Sequence, residues 1–593
     1  MINNDKLESL RHSAEHVLTM AMLRLYPGLK AAMGPATAEG FYFDFDSNVK
    51  ISEEDFQKIE KEMEKIIKEN LPIIKDEMTV KEAKEFFSKN IYKNNEYKHE
   101  WLDQIESRGE KVSVYWMGEK GKDIPETFVD ICAGPHVKST GEIKAFKLMK
   151  VAGAYWHGDE KNKMLTRIYG TAFENKKDLE DYLKLLEEAE KRDHKKLGKE
   201  LRLFTISNLV GKGLPMYLPK GNIIRTQLEN FIRKEKEDLG YSFVTIPHIA
   251  KKELYIKSGH MGKYDAMMPI MTDENGEEFV MKAMNCPHHF EIYNAEQHSY
   301  RDLPFRIAEN TTVYRNEKSG ELAGLLRVKN LTQDDTHHCI RPDQIESEIE
   351  MIFGLMQKVY KIFGFDNYKV EISVRDLLNK EKYFGSDEVW EKAEKILVNS
   401  AKKMDLQYSI EEGEAAFYGP KIDIKIKDSI GREWQLATIQ LDFNQPNNFE
   451  MDYIGEDGKK HRIVVLHVAI FGSLERFIGI LIEHYAGAFP LWLSPVQVKV
   501  IPVRTNHNEY AKQIFELLKE NNIRAELDDA EANLGGKVRD AKNNKIPYWV
   551  VIGDKEIEAN KITLESRDKG QLGQITKEEL VEKLTKEIKE KTN

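Results

Sequence analysis

Between residues 496 and 553 the apolar pattern switches back and forth between a strand-like and a helix-like period. This alternation restricts the fold more than any other feature of the chain. "VQVKVIPV" reads as a strand, "NEYAKQIFELLKENN" as a helix, "IRAEL" as a strand, "NLGGKVRDAKNN" as a helix and "IPYWVVIG" as a strand. Parallel neighbours need a crossover about the length of a helix. The βαβαβ order therefore predicts a small α/β domain with a largely parallel sheet, spanning 495–593.

Upstream the texture differs. Residues 1–175 mix strand and helix: "FYFDFD" at 41–46 alternates like a strand, and "ISEEDFQKIEKEMEKIIKEN" is strongly helical. Residues 176–200, dense in charge with a thin leucine stripe, predict a solvated linker helix. A long domain rich in aromatics and arginine follows over 201–494. The 593 residues suffice for roughly three to five domains. A hydrophobic share of 41% beside 32% charged residues is the balance of a soluble globular protein. Apolar runs such as "IVVLHVAIFG" from 463 reach only about half a bilayer span. "MINNDKLES" lacks the basic and apolar regions of a secretory signal, which predicts a cytoplasmic protein with no membrane partner. Three cysteines make no disulfide framework. With a net charge of −11, any nucleic-acid contact needs local basic surfaces rather than a global field.

Several short stretches carry chemistry. In "RHSAEHVLTM" His12 and His16 share one helical face, but Ser13 stands where a zinc-protease helix needs Glu. In "FVDICAGPHVKS" Cys132 and His136 repeat the same spacing. The four together could form a tetrahedral metal set or a water-activating pocket, and spacing alone leaves both open. In the middle of the chain, Cys286 in "MKAMNCPHHF", His337 in "TQDDTHHCI" and His467 in "VVLHVAIFGS" are borderline-soft donors, though each taken singly reads more readily as a packed or hydrogen-bonded core residue. "VYRNEKSGELAGLLRVKN" sets Arg315 and Glu317 before a Gly320–Gly324 turn and Arg327 after it; "SLERFIGILIEHY" puts Arg476 at the head of a buried amphipathic helix. Guanidinium forks suit phosphate oxygens.

With these residues in view, the chain resembles the class II aminoacyl-tRNA synthetases, whose motifs 2 and 3 are similar to "YRNE…R" and to the helix bearing Arg476. "MNCPHH", "TQDDTHH", "AAFYGPKIDIKIKD", "WQLATIQLDF" and "GAFPLWLSPVQV" narrow the resemblance to the threonyl-tRNA synthetase family, over about residues 5–570. The resemblance implies an α+β editing domain at 1–175, an antiparallel-sheet class II core at 201–494 and an α/β anticodon-binding domain at 495–593. It implies one zinc on Cys286, His337 and His467, with magnesium accompanying ATP. Arg315 would hold the α-phosphate, Glu317 the adenine and Arg476 the triphosphate tail, with Arg327, Leu331, Gln435 and Thr438 lining the nucleotide. Met284, Asp335, Tyr418, Gln440 and Ser473 would line the threonine pocket, and Lys421 and Gln333 would assist catalysis. His12, His16, Asp130, Cys132 and His136 would form an editing pocket without an obligatory metal, beside a second signature holding Tyr155 and Trp156. Glu558 and Arg567 would read anticodon bases, and Pro247 would lie at a homodimer interface. Implied partners are tRNA(Thr), ATP and L-threonine.

The chemistry is self-consistent. A site that demands a hydroxyl can reject valine by about 10⁴–10⁵, but a missing methyl separates serine from threonine by only about 10–200-fold. A threonine-selective metal therefore predicts a hydrolytic second check. The chain also departs from the family. It starts directly on the editing helix, without the small domain that precedes it in most bacterial members. Leu331 replaces a phenylalanine that stacks on adenine, which predicts weaker ATP binding. Val468 and His157 stand where arginine is common, which puts the support of His467 and one tRNA contact in question. Two rival readings are a paralogue that binds tRNA without charging it and a stand-alone tRNA deacylase.

Overall fold

The computed structural model describes residues 4–89, 92–122, 124–428 and 431–592. The chain falls into two compact units, Met1–Glu187 and Glu188–Asn593. In the first, helix Asn4–Leu25 buries Leu10, Ala14, Val17, Leu18 and Ala21, the spacing of one helical face. That face packs on a four-stranded antiparallel sheet in the order Lys30–Ala31, Phe41–Asp46, Met164–Phe173, Ala145–Tyr155. "FYFDFD" is the strand its alternation predicts: Phe41, Phe43 and Phe45 are all buried in this core, each stabilising it by about 1.5–3 kcal/mol. Helix Phe56–Glu69 adds Phe56, Ile59, Met63 and Ile66. A second sheet, Ile73–Met78, Val112–Met117 and Phe128–Ile131, is also antiparallel and delivers the segment bearing Asp130 and Cys132.

The expected single linker helix is two helices, Lys176–Arg192 and His194–Glu200. Asp193 breaks it because its carboxylate caps the second helix, accepting from Lys195 and Lys196 N–H. Nor is the stretch wholly solvated, since Leu179 and Leu197 are buried in the cores of their respective units.

The second unit is built on an eight-stranded sheet. Its order is Ser242–Phe243, Phe305–Tyr314, Asn330–Ile340, Val464–Ala469, Glu433–Asp442, Lys421–Lys427, Tyr368–Val374, Tyr408–Glu412. The six central strands are antiparallel, and each edge strand joins in parallel. Register explains how distant residues meet. Lys421 pairs with Gln440, Gln440 with His467, and His467 with His337, forming a row across four strands. Along Asn330–Ile340 the side chains at 331, 333, 335 and 337 share one face, because strand period is two.

The C-terminal sheet runs Ala525–Leu527, Val498–Pro502, Tyr548–Ile552, Ile562–Ser566, Gly570–Ile575. The first three strands are parallel, as the βαβαβ order predicts. The last two pair antiparallel, so the sheet is mixed rather than largely parallel. A short turn joins these two strands, and no crossover helix is needed. No described helix is long and apolar enough to cross a membrane.

Candidate active sites

The sheet row of the second unit opens on a cavity of about 350 Å³. It brings together Met284, Cys286, Arg315, Leu331, Gln333, Asp335, His337, Tyr418, Gln435, Thr438, Gln440, His467, Ser473 and Arg476. Cys286, His337 and His467 each offer a donor atom, all within 4.8 Å of one another. His467 Nε2 stands 2.9 Å from Asp442 Oδ2, and His337 Nδ1 stands 2.7 Å from His289 Nδ1. One nitrogen of each ring is thus left for a cation, the arrangement found behind metal-binding histidines. Burial, then His467, holds His337 well below the ordinary imidazole range, so it keeps its lone pair. The set fits zinc in donor type, number and orientation. Val468 is packed between Thr336 and Ile439, and the support of His467 comes from Asp442 instead of a neighbouring arginine.

Arg315 and Arg476 make no ion pair among the described residues. Among the described residues Arg315 Nη2 donates to Met284 Sδ at 3.7 Å, its guanidinium lies 5.7 Å from the Tyr264 ring centroid, and its Nε has no hydrogen-bond partner. Arg476 Nε donates to Leu326 O at 3.0 Å. Burial, then the nearby Arg315 and Arg327, lowers the Arg476 pKa, as expected for cations gathered to meet an anion. Ser473 caps helix Leu474–His484 through Arg476 N–H and so fixes the arginine's root. Glu317 and Arg327 do not line the cavity; they pair with each other at 2.9 Å, Arg327 also reaching Glu321 at 3.0 Å. Lys421 likewise lies outside the lining, 2.7 Å from Asp423 Oδ2. Leu331 is buried against Val313 and Val328.

Sequence reasoning missed several residues here. Asp423 collects Lys421, Gln435 and Thr438 on one buried carboxylate. Asn285 donates to Asp335 at 2.9 Å. Asp442 and His289 stand behind the metal-type donors. His260 is buried beside Tyr418, with Nδ1 on Ser258 and Nε2 unpartnered. None of these has a spacing signal; only the doubled histidine in "CPHH" marked its segment.

The first unit holds a second cavity, of about 390 Å³, lined by His12, His16, Asp130 and Cys132 together with Glu15 and Lys98. Cys132 Sγ lies 3.2 Å from His12 Nε2 and 3.2 Å from His136 Nε2. Ser13, the residue that broke the protease pattern, meets His136 Nδ1 at 3.1 Å. The chain turns at Gly134 (φ +81°), where a Cβ would come 2.3 Å from the Tyr115 hydroxyl. Burial pushes the Cys132 thiol up to about 12 and His136 down to about 3. It also holds His12 below, and His16 well below, the ordinary value. The cluster is therefore three lone-pair imidazoles around a thiol. Lys98, unmarked in the sequence, meets the buried Asp130 at 2.5 Å. Trp156 is buried with its N–H on Glu100, Tyr155 is exposed, and His157 takes the other Glu100 oxygen at 2.6 Å.

At the C-terminus Glu558 is exposed on helix Asp554–Ala559. Arg567 is engaged by its own chain, donating to Phe489 O, Lys545 O and the Asp568 carboxylate.

Known proteins share these features. Residues 268–485 match the family described as tRNA synthetase class II core domain (G, H, P, S and T), and 497–587 match an anticodon binding domain. Residues 112–169 match the threonyl and alanyl tRNA synthetase second additional domain. The fold and the arginine-lined cavity are those of a class II aminoacyl-tRNA synthetase. A threonine–tRNA ligase of Flavobacterium psychrophilum is 47% identical over 97% of this chain and 87% of its own length. One from Caldanaerobacter subterraneus subsp. tengcongensis is 49% identical over 97% and 87%. A solved structure titled as the RNA binding domain of threonyl-tRNA synthetase from Cryptosporidium parvum Iowa II superposes with a TM-score of 0.64. It is 34% identical and covers 66% of this chain and 98% of that one. The chain belongs to the threonine–tRNA ligase family. The likeness supports neither the non-charging paralogue nor the stand-alone deacylase.

Proposed function

We propose the following division of labour for this threonine–tRNA ligase. In the second unit, Arg315 and Arg476 bind the α-phosphate and the tail of magnesium-bound ATP. Glu317, Arg327, Leu331, Gln435 and Thr438 hold the nucleotide. Met284, Asp335, Tyr418, Gln440 and Ser473 hold threonine, with Lys421 and Gln333 beside the reacting atoms. A threonine carboxylate oxygen attacks the α-phosphorus, and the bond to pyrophosphate breaks. The two arginines stabilise the charge that develops. A ribose hydroxyl at the 3′ end of tRNA(Thr) then attacks the acyl carbonyl, and the bond to AMP breaks. Cys286, His337 and His467 would hold zinc, which would supply open coordination positions for the threonine amino and hydroxyl groups. Asp335, half-buried and held by Asn285, accepts from that hydroxyl and leaves valine underbound. The observation that carries this reading is a pair of guanidiniums without carboxylate partners, facing the same cavity as the three metal-type donors.

Serine keeps the hydroxyl and escapes this filter, so the pocket of the first unit hydrolyses Ser-tRNA(Thr). Water attacks the ester carbonyl, a lone-pair imidazole from His12, His16 or His136 takes its proton, and the bond to the ribose oxygen breaks as that oxygen is protonated, releasing serine and free tRNA(Thr). The working segments are 1–175 for editing, 176–200 as linker, 201–494 for activation and 495–593 for the anticodon. Glu558, exposed on its helix, would read a base, and Arg567 would do so by leaving Asp568. The protein works in the cytoplasm as a homodimer, through the segment around Pro247, where Ile249 and Ile256 are exposed. ATP–pyrophosphate exchange is the test. Threonine should support it, valine should not, and Arg315→Ala should abolish it. Exchange that survives Arg315→Ala would remove the phosphate assignment.

A further inference from the structure

The histidine that opens helix His194–Glu200 has no part in the machinery above, yet it is buried against it. Its backbone N–H and its Nδ1 both meet Glu483 Oε1, at 3.1 and 2.7 Å. Its Nε2 accepts from Leu325 N–H at 3.1 Å. A backbone amide can only donate, so Nε2 carries the lone pair and the ring proton sits on Nδ1, donated to Glu483. Glu483 ends the same helix that carries Arg476 at its head, and its second oxygen takes Arg432. Asp193, His194 and Glu483 bring cation-type donors within 4.8 Å of one another. Both ring nitrogens are already engaged, however, and Asp193 Oδ1 caps the helix.

Leu325 belongs to the segment that separates Arg315 and Glu317 from Arg327 and Leu331. The next carbonyl, Leu326 O, accepts from Arg476. Two adjacent residues are thus gripped, one by an imidazole and one by a guanidinium, and both grips trace back to helix Leu474–His484. The segment lies on that helix at Gly479, where a Cβ would come 3.0 Å from Leu326 Cδ2. Gly324, at φ +54°, completes the fit: a Cβ there would stand 2.1 Å from His194 Nε2.

We propose that His194 is a positioning residue for adenylate formation. It acts as a strut that fixes the backbone at Gly324–Leu325, so that Glu317 and Arg327 stand where ATP needs them. The inference rests on reading the cavity as the ATP site. His194 touches no reacting group, so its loss acts through ATP binding and leaves threonine binding in place.

The test is pyrophosphate exchange on the full chain, with KM for ATP and for threonine measured separately and thermal melting as a control. His194→Ala strands a buried amide and should raise the ATP KM about tenfold. The threonine KM should stay within about twofold. His194→Gln keeps a carbonyl oxygen for Leu325 N–H and should recover most of the loss. Gly324→Ala pushes a methyl against Nε2 and should raise the ATP KM by itself. With His194→Ala the contact with the ring is gone, while Lys195 Cγ at 3.0 Å and the left-handed φ remain, so the double variant should fall short of the product of the single effects. If His194→Ala does not fold, His194→Gln and Gly324→Ala carry the same comparison. An unchanged ATP KM in the folded variants, equal rises for both substrates, or strictly multiplicative effects would overturn the strut. Arg315→Ala is the control: if it leaves exchange intact, the ATP reading of the cavity has failed rather than the role of His194.

Discussion

Both units gather histidines around one cysteine, but they surround them differently. In the second unit a carboxylate stands directly behind His467 and a second imidazole behind His337. In the first unit the donors face one another, with ring centroids 4.2–5.4 Å apart. Among the described residues no carboxylate reaches hydrogen-bond distance of these imidazoles, Glu15 standing 3.7 Å from both His12 and His16. Metal-binding imidazoles need their outer nitrogen tied so that the inner one points at the ion. Donor count therefore ranks the two clusters wrongly. In the first unit a hydroxyl, Ser13, ties the outer nitrogen of His136, a support that suits water and proton transfer; in the second a carboxylate and an imidazole tie both histidines, a support that suits a cation.

The sharpest way to break this contrast is to count metal. Cys286→Ala should lose the zinc and lower threonine-dependent exchange by at least about a hundredfold. Cys132→Ala should leave both unchanged. Elemental analysis of the two variants decides, and zinc lost from Cys132→Ala would make the clusters alike. Next comes chemistry in the first unit. His12→Ala with His16→Ala should slow Ser-tRNA(Thr) deacylation by about 10²–10⁴ and leave threonine charging intact. Deacylation at the parental rate would remove the pocket from editing.

A smaller effect probes the support itself. Asp442→Asn keeps an oxygen for Asn444 and Gln445 N–H but presents an amide donor to His467 Nε2. The ring must then carry its proton on Nδ1, the nitrogen a cation needs. Zinc affinity, read by chelator competition, should fall about 10–100-fold. Unchanged affinity would mean that Asp442 does not orient the ring.

What the sequence discloses follows the reach of its signals. Periodicity located Phe41–Asp46 and the strands and helices of 496–553, because local pattern and burial agree there. It overlooked the hairpin Ile562–Ser566/Gly570–Ile575 and the break at Asp193. In both places a short turn or cap sits inside a stretch that otherwise reads as continuous. Motif residues came from family likeness, and fourteen of them meet at one cavity. Asp423, Asp442, Asn285, Lys98 and His194 stayed invisible. Each is a lone polar residue whose role exists only once sheet register or helix packing brings its partner beside it.

The smallest effect separates the clusters by protons. His136 sits near 3 in the folded chain against an ordinary 6.5. Below 6.5 the unfolded chain binds a proton there that the folded chain refuses, so this group costs stability increasingly as pH falls from 6.5 towards 3. His12 and His16, lowered by burial, act in the same direction; Glu15 and Asp130, raised by burial, act against them. All four, with Lys98 and Cys132, remain in His136→Asn and largely cancel in the difference. The variant's stability relative to the parent should therefore rise on going from pH 7.5 to 5, with a slope approaching one proton. Amide exchange in helix Asn4–Leu25, followed at both pH values with a chelator present, reads it. A difference that does not move with pH would show that His136 is not held without its proton by burial. A parental advantage at pH 7.5 that the chelator abolishes would mean that this cluster, too, grips a cation, and the contrast between the two units would collapse.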